Sequence, residues 1–181
     1  EHAALEDIQY LSDRHLNHEL IRTLRSNSYI DKKRNVIFVG ATGSGKTFLA
    51  NALGINACHA GYKVRYVRLP DFFAEYASAE VKYQQMEFMK KCQTVRLLIL
   101  DEFLLLPLAA NQQRSLLELL ERRCGQASTI FCSQFAITGW HEQLGGGAIA
   151  DAILDRIVPG SNIMEIQGDV SMRQRLAEDP V

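Results

Sequence analysis

GATGSGKT, residues 40–47, holds three glycines, a lysine and two kinds of hydroxyl in eight positions. It has no apolar face to pack in a core, and glycine is a poor helix-interior residue. The residues before it, NVIFV (35–39), form a short apolar run with β-branched members and read as a buried strand. After it, Leu49, Leu53 and Ala57 put one apolar face on a helix over 46–59, ended by Gly61. Strand, loop and helix in that order are the context that the pattern G-x-x-x-x-G-K-T needs to be a phosphate loop. Glycines let the backbone curl until successive N–H groups point at phosphate oxygens, and the helix start adds free N–H groups and partial positive charge. The expected cradle is Gly40, Ala41, Thr42, Gly43, Ser44, Gly45, Lys46, Thr47 and Phe48. Lys46 would reach the β- and γ-phosphates and Thr47 would place its hydroxyl on Mg2+.

A phosphate loop needs an acid at the end of a buried strand. RLLIL (96–100) is such a strand, and it stops at Asp101 and Glu102. A carboxylate emerging from four apolar residues is costly unless a cation or hydrogen bonds receive it. Asp101 is therefore expected in the Mg2+ shell, directly or through water. Glu102 is the natural general base or water-positioning group beside it.

The remaining chain alternates in the same way. Residues 13–26 read as an amphipathic helix through Leu16, Leu20, Ile21 and Leu24, followed by the polar stretch SNSYIDKKR. YKVRYVRL (62–69) reads as a strand, and 71–92 as two helices, the second from about Glu80. Leu116, Leu117, Leu119 and Leu120 mark a helix ending near Gly125, and STIFCS (128–133) a fourth strand. AITGWHEQL reads as helical, GGG breaks it, AIADAILDRIV (148–158) is a helix stopped by Pro159, and NIMEI (162–166) is a fifth strand before a short closing helix. Strands alternating with helices imply a parallel sheet covered on both faces, in one main domain.

Lys plus Arg number 20 against 21 Asp plus Glu, so the net charge of −1 gives no global signal for nucleic acid. No apolar run approaches the about 20 residues that cross a bilayer, and the polar start EHAALEDIQYLSDR is no signal peptide. Cys58, Cys92, Cys124 and Cys132 lie far apart in no metal-like spacing, which reads as reduced, mostly buried thiols of a cytoplasmic protein. The first residue is not Met, and the expectation is that an N-terminal domain precedes it.

A phosphate loop identifies a ligand rather than a reaction. The paired Asp101–Glu102 favours water activation and hence ATP hydrolysis. A small-molecule kinase, the competing reading, would shield the phosphoryl group from water and bind an acceptor, and no arginine-rich lid suits that.

At this point the chain resembles the IstB-like ATPases, helper proteins of bacterial insertion-sequence transposases related to the DnaC and DnaI helicase loaders within the AAA+ group. The resemblance runs through LEDIQYLSDRHLNHELIRTL, GATGSGKTFLANALG, VRYVRLPDFFAEY, LLILDEFLLLPL, TIFCSQF, WHEQL and ADAILDRIV. It implies an α/β P-loop sandwich of three layers, with a five-stranded parallel sheet. The core would span 1–168, including an N-terminal helical segment (1–34) and inserted helices (71–92), with a minimal C-terminal lid over 169–181. It implies a polar γ-phosphate sensor at Ser133 or Gln134, the choice being open. It makes Arg156 an arginine finger acting on ATP held by the neighbouring subunit, where spacing alone reads as an arginine laying its stem on an apolar face. It gives GDVSMR, and Arg173 within it, contact with the nucleotide, and rests the base near Ile8 to Leu11. The sequence departs from the family by one extra residue in GDVSMR and by a flexible GGGA turn before the finger helix.

The same resemblance implies partners: DNA, mainly double-stranded and largely sequence-independent; a transposase; and further copies of the chain in an ATP-dependent oligomer. The cations offered to DNA are Lys82, Lys90 and Lys91 on the inserted helices, and Arg22, Arg25, Lys32, Lys33 and Arg34 near the N-terminus. The alternative within the group is a DnaC-like loader binding a replicative helicase. WHEQL and ADAILDRIV look closer to the transposition helpers.

Overall fold

The computed structural model describes residues 3–10, 15–168 and 172. Five parallel strands form one sheet: β1 (Val36–Gly40), β2 (Val64–Arg68), β3 (Leu97–Asp101), β4 (Ser128–Ser133) and β5 (Asn162–Ile166). Their order is β2-β3-β4-β1-β5, which puts the glycine-loop strand between β4 and β5. The helices are α1 (His18–Arg25), α2 (Ser28–Asp31), α3 (Lys46–His59), α4 (Leu69–Val81), α5 (Gln85–Gln93), α6 (Ala110–Arg123), α7 (Trp140–Gln143) and α8 (Gly147–Ile157).

Alternation along the central strands sorts the core into two halves, because successive side chains point to opposite faces. Val36, Phe38, Leu97, Ile99, Ile130 and Cys132 pack on α3, with α1 beyond it. Ile37, Val39, Leu98, Leu100 and Phe131 pack on the other face, against α4 to α8. Trp140 anchors that second half, fully buried beside Phe103 and Phe131, with its indole N–H donated to the Phe135 carbonyl at 2.9 Å. This is the three-layer α/β sandwich that the sequence predicts.

Local chemistry moves several boundaries. The N-terminal helix is shorter than 13–26 and begins after Asn17, whose side chain accepts from the Leu20 N–H at 2.9 Å. The polar stretch after it contains a helical turn, α2, because Tyr29 and Ile30 are buried there. In the inserted pair, the second helix starts at Gln85 rather than near Glu80, since Tyr83 takes a left-handed φ of 55° and separates the two. Pro70 sits in the first turn of α4, where its missing N–H costs nothing. Ile137–Gly139 forms a single 3-10 turn ahead of α7. Of the four cysteines, Cys92 and Cys132 are buried, whereas Cys58 and Cys124 are exposed, so "mostly buried" holds for only half of them. The closing helix and lid fall outside the described residues except for Met172.

Candidate functional site

β1 delivers the chain to the glycine loop and the sheet fixes the loop's shape. A Cβ on Gly40 would sit 2.5 Å from the Ile166 carbonyl oxygen of β5, so only glycine fits where the two strands end side by side. Gly45 turns into α3 at φ 95°, a conformation that costs a side-chain-bearing residue energy. The first residues of α3 are Lys46 and Thr47, so both side chains leave from the helix N-terminus.

Lys46 is 9% exposed. Its ammonium donates to the carbonyls of Gly40 at 2.6 Å and Ala41 at 2.7 Å, and more weakly to Ser44 Oγ at 3.4 Å. Burial lowers its pKa from the ordinary value, partly opposed by the Cys132 thiol and Asp101. The lysine is thus held at the loop by neutral oxygens, which charged phosphate oxygens can outbid.

Asp101 ends β3, a buried strand set apart from β1 by β4, and is 5% exposed. Its Oδ2 accepts from the Thr47 hydroxyl at 2.8 Å and from the Tyr66 hydroxyl at 2.8 Å, and its Oδ1 accepts from the Glu102 N–H at 2.8 Å. A hydroxyl and a carboxylate oxygen side by side are hard donors of the kind Mg2+ takes, with its other positions left to water and phosphate. The donor set therefore fits that ion. Burial, then the bond to Asp101, pushes the Tyr66 pKa up, so the phenol keeps its proton.

Glu102 follows in a left-handed conformation, φ 50°. Its carboxylate pairs with Arg68 at 2.7 Å, and Arg68 also faces Asp71 at 3.6 Å. Tyr66 and Arg68 are the site residues that the sequence reading missed. They lie two apart on β2, hence on one side, and the parallel register sets Arg68 against Asp101. The signal was the strand-end pairing of β2 with β3.

The two sensor candidates part company. Ser133 is fully buried and its Oγ accepts from the Phe135 N–H at 3.2 Å. Gln134 reaches the glycine loop, its Oε1 accepting from the Thr42 hydroxyl at 3.0 Å. Ile8 packs in the core with Leu49 and Leu53 of α3, Tyr10 stacks on His18 at 4.0 Å, and Leu11 lies outside the described residues. So does Arg173, although its neighbour Met172 donates its N–H to the Gly43 carbonyl at 2.9 Å.

Arg156 is not part of this group. It lies in the last turn of α8, donating to the Ala152 carbonyl at 2.7 Å and pairing with Glu121 at 2.8 Å. The carbonyls of Arg156 and Ile157 accept from Asn35, which precedes β1, at 3.4 Å each. Arg156 therefore sits at the start of β1, whereas the glycine loop follows its end, five residues or about 16 Å further along the strand.

The family model for IstB-like ATP binding proteins matches residues 1–179. The chain belongs to this family. It is 38% identical over 173 residues to an insertion sequence ATP-binding protein of Sinorhizobium fredii, covering 96% of this chain and 71% of that one. It is 32% identical over 165 residues to the insertion sequence IS21 ATP-binding protein of Pseudomonas aeruginosa, covering 91% and 62%. Among solved structures, the replication initiator DnaA bound to AMPPCP and single-stranded DNA superposes with a TM-score of 0.77 at 23% identity, covering 97% of this chain and 55% of that one. The helicase loader DnaC superposes with a TM-score of 0.69 at 19% identity, covering 82% and 87%. These likenesses make the fold that of the AAA+ proteins, and ATP is the nucleotide for which the chain's own family is named. Among the described residues, no helix is long and apolar enough to cross a membrane.

Proposed function

We propose that this chain is the ATPase core of a transposition helper: it binds ATP with Mg2+, assembles with further copies on DNA, and recruits and stimulates a transposase. The observation that carries the catalytic part is the contact of Thr47 with Asp101 beside the glycine loop, with Glu102 next in sequence. When bound, Mg2+ would neutralise charge on the β- and γ-phosphates, held by Thr47 and Asp101. Lys46 exchanges its loop carbonyls for phosphate oxygens. Gln134, already at the loop, faces the γ-phosphate. Glu102 accepts a proton from the attacking water, for which it must leave Arg68. Arg68 therefore acts as a brake that holds the carboxylate until the site is filled.

DNA contact falls to the hairpin of α4 and α5, where Lys82 and Lys90 are exposed and Lys91 is paired with Glu87 at 2.9 Å. Such contacts give salt-sensitive, sequence-independent affinity. The test is ATP turnover and particle size with and without double-stranded DNA, at low and moderate salt. DNA-stimulated turnover with ATP-dependent assembly is expected. A lasting monomer indifferent to DNA would refute the reading. Pull-downs against transposase and replicative helicase then decide the partner, helicase capture alone pointing to a loader.

Glu102→Gln is expected to bind ATP normally while turnover falls by about 100-fold or more, trapping the assembled form. Turnover at the parental rate would take the base role from Glu102. Tyr66→Phe removes one of the two hydroxyls that fix Asp101 Oδ2. The Mg2+ concentration for half-maximal turnover should then rise roughly 10-fold. An unchanged Mg2+ titration would make the Tyr66 bond incidental.

A further inference from the structure

A cleft of about 280 Å3 opens at the start of the strands, between the ends of α6 and α8 and the lead-in to β1. Four cations line it: Lys33, Arg34, Arg123 and Arg156. No Asp or Glu is among its lining residues; Glu121, the partner of Arg156, stands outside.

Arg123 gives the cleft a fixed positive wall. It is 2% exposed and has no carboxylate partner among the described residues. Its guanidinium donates instead to Thr129 Oγ1 and to the carbonyls of Cys92, Val95 and Ser128. Burial lowers its pKa to about 10, so it remains charged near neutrality. A buried charge answered only by neutral oxygens leaves a field that favours an anion nearby. Lys33 and Arg34 are exposed, and among the described residues neither makes an ion pair. Backbone bonds from the Lys33 N–H to the Ile30 carbonyl and from the Arg34 N–H to the Tyr29 carbonyl fix where they leave the chain, just before β1.

These cations cannot serve the nucleotide of their own chain, because the glycine loop lies at the other end of β1. The ligand must come from outside, and it must be anionic. Arg156 on the rim already has such a ligand in the reading above: the γ-phosphate on the next copy. We propose that the cleft is a phosphate site completed by a second copy of the chain, in which Lys33 and Arg34 join Arg156 around the triphosphate held in the neighbour's glycine loop. This rests on the reading of Arg156 as acting between subunits. It adds two residues that present charge from a different element, so that the phosphate is gripped from both α8 and the approach to β1.

The double variant Lys33→Gln/Arg34→Gln tests this. At protein concentrations where the parent is assembled, its turnover should fall about 10-fold, while ATP affinity of the dilute chain stays unchanged. Arg34→Lys with Lys33 retained should recover most of the loss. Mixing the double variant with Lys46→Ala should restore activity, to about a quarter of parental sites for random partnering, because one copy supplies the loop and the other the cleft. Cys124, exposed in the cleft, gives an independent readout: in a Cys58→Ser background its alkylation should slow when ATP drives assembly. If the parent assembles and the double variant matches its turnover, or mixing restores nothing, the inference fails alone. If the double variant loses DNA affinity but keeps DNA-free turnover, the phosphate is that of DNA and the inference is overturned. If parental turnover per subunit does not rise with protein concentration, the assembly reading falls and takes this inference with it.

Discussion

Replacing Lys46 by alanine is expected to lower affinity for ATP by about three orders of magnitude, measured by titration with a fluorescent ATP analogue. The ammonium is nearly buried, so its bonds to phosphate would form in a poorly solvated place where each is worth more than at the surface. Its present partners are two backbone carbonyls at 2.6 and 2.7 Å and a hydroxyl at 3.4 Å, all uncharged. Exchanging them for anionic oxygens is a net gain that alanine cannot make. The loop should keep its shape without the lysine, because Gly40 is fixed by close approach to Ile166 and by its pairing in the sheet. Thermal melting without nucleotide should therefore change little, which separates lost binding from lost folding. A loss of affinity under about tenfold in a folded variant would mean that the backbone N–H groups alone carry the triphosphate. Glycine-loop recognition would then need no lysine here, and the assignment of Lys46 would go.

The parts legible in the sequence were those set by short-range pattern. NVIFV and RLLIL could be read as strands because parallel strands covered on both faces are continuous apolar runs. Asp101 stood out because a carboxylate directly after such a run needs a partner, and it has three donors. The α/β class followed from alternation, and the AAA+ assignment from the order of motifs.

What stayed hidden depends on register or on side-chain direction. Tyr66 and Arg68 sit exposed on an edge strand of which only Val67 is buried, so their pattern said little. Their role came into view only when β2 lay beside β3. Ser133 and Gln134 are consecutive, and the choice turns on which side chain leaves the strand end toward Thr42. The break between α4 and α5 rests on one left-handed residue, Tyr83, for which the sequence carries no glycine. Arg123 carries no mark in the sequence beyond its place in the last turn of α6. Its burial is a consequence of two chain segments, 92–95 and 128–129, converging on its guanidinium, and the first of them lies far away in sequence.

Arg156→Ala is expected to leave ATP binding intact and to lower turnover in the assembled state by about a thousandfold, as the loss of an arginine from a phosphoryl-transfer site does elsewhere. The argument is positional. Arg156 is at the opposite end of β1 from the loop of its own chain, and it is tethered there by Glu121 and the Ala152 carbonyl. An effect on catalysis must therefore pass between copies. The arginine is only half-buried and its ion pair is surface-like, so giving up Glu121 for a phosphate costs little. Glu121→Gln should accordingly be tolerated, whereas Arg156→Ala should not. Two measurements make the case decisive. Turnover per subunit of the parent should rise with protein concentration, and that of Arg156→Ala should stay low at every concentration. Mixed with Lys46→Ala, the Arg156→Ala chain should regain activity, because its loop is intact and its neighbour's arginine is present. Unchanged turnover in Arg156→Ala under assembling conditions would return this residue to a structural part, pinning α8 to α6. In that case the γ-phosphate would be left to Lys46 and Gln134 of a single chain.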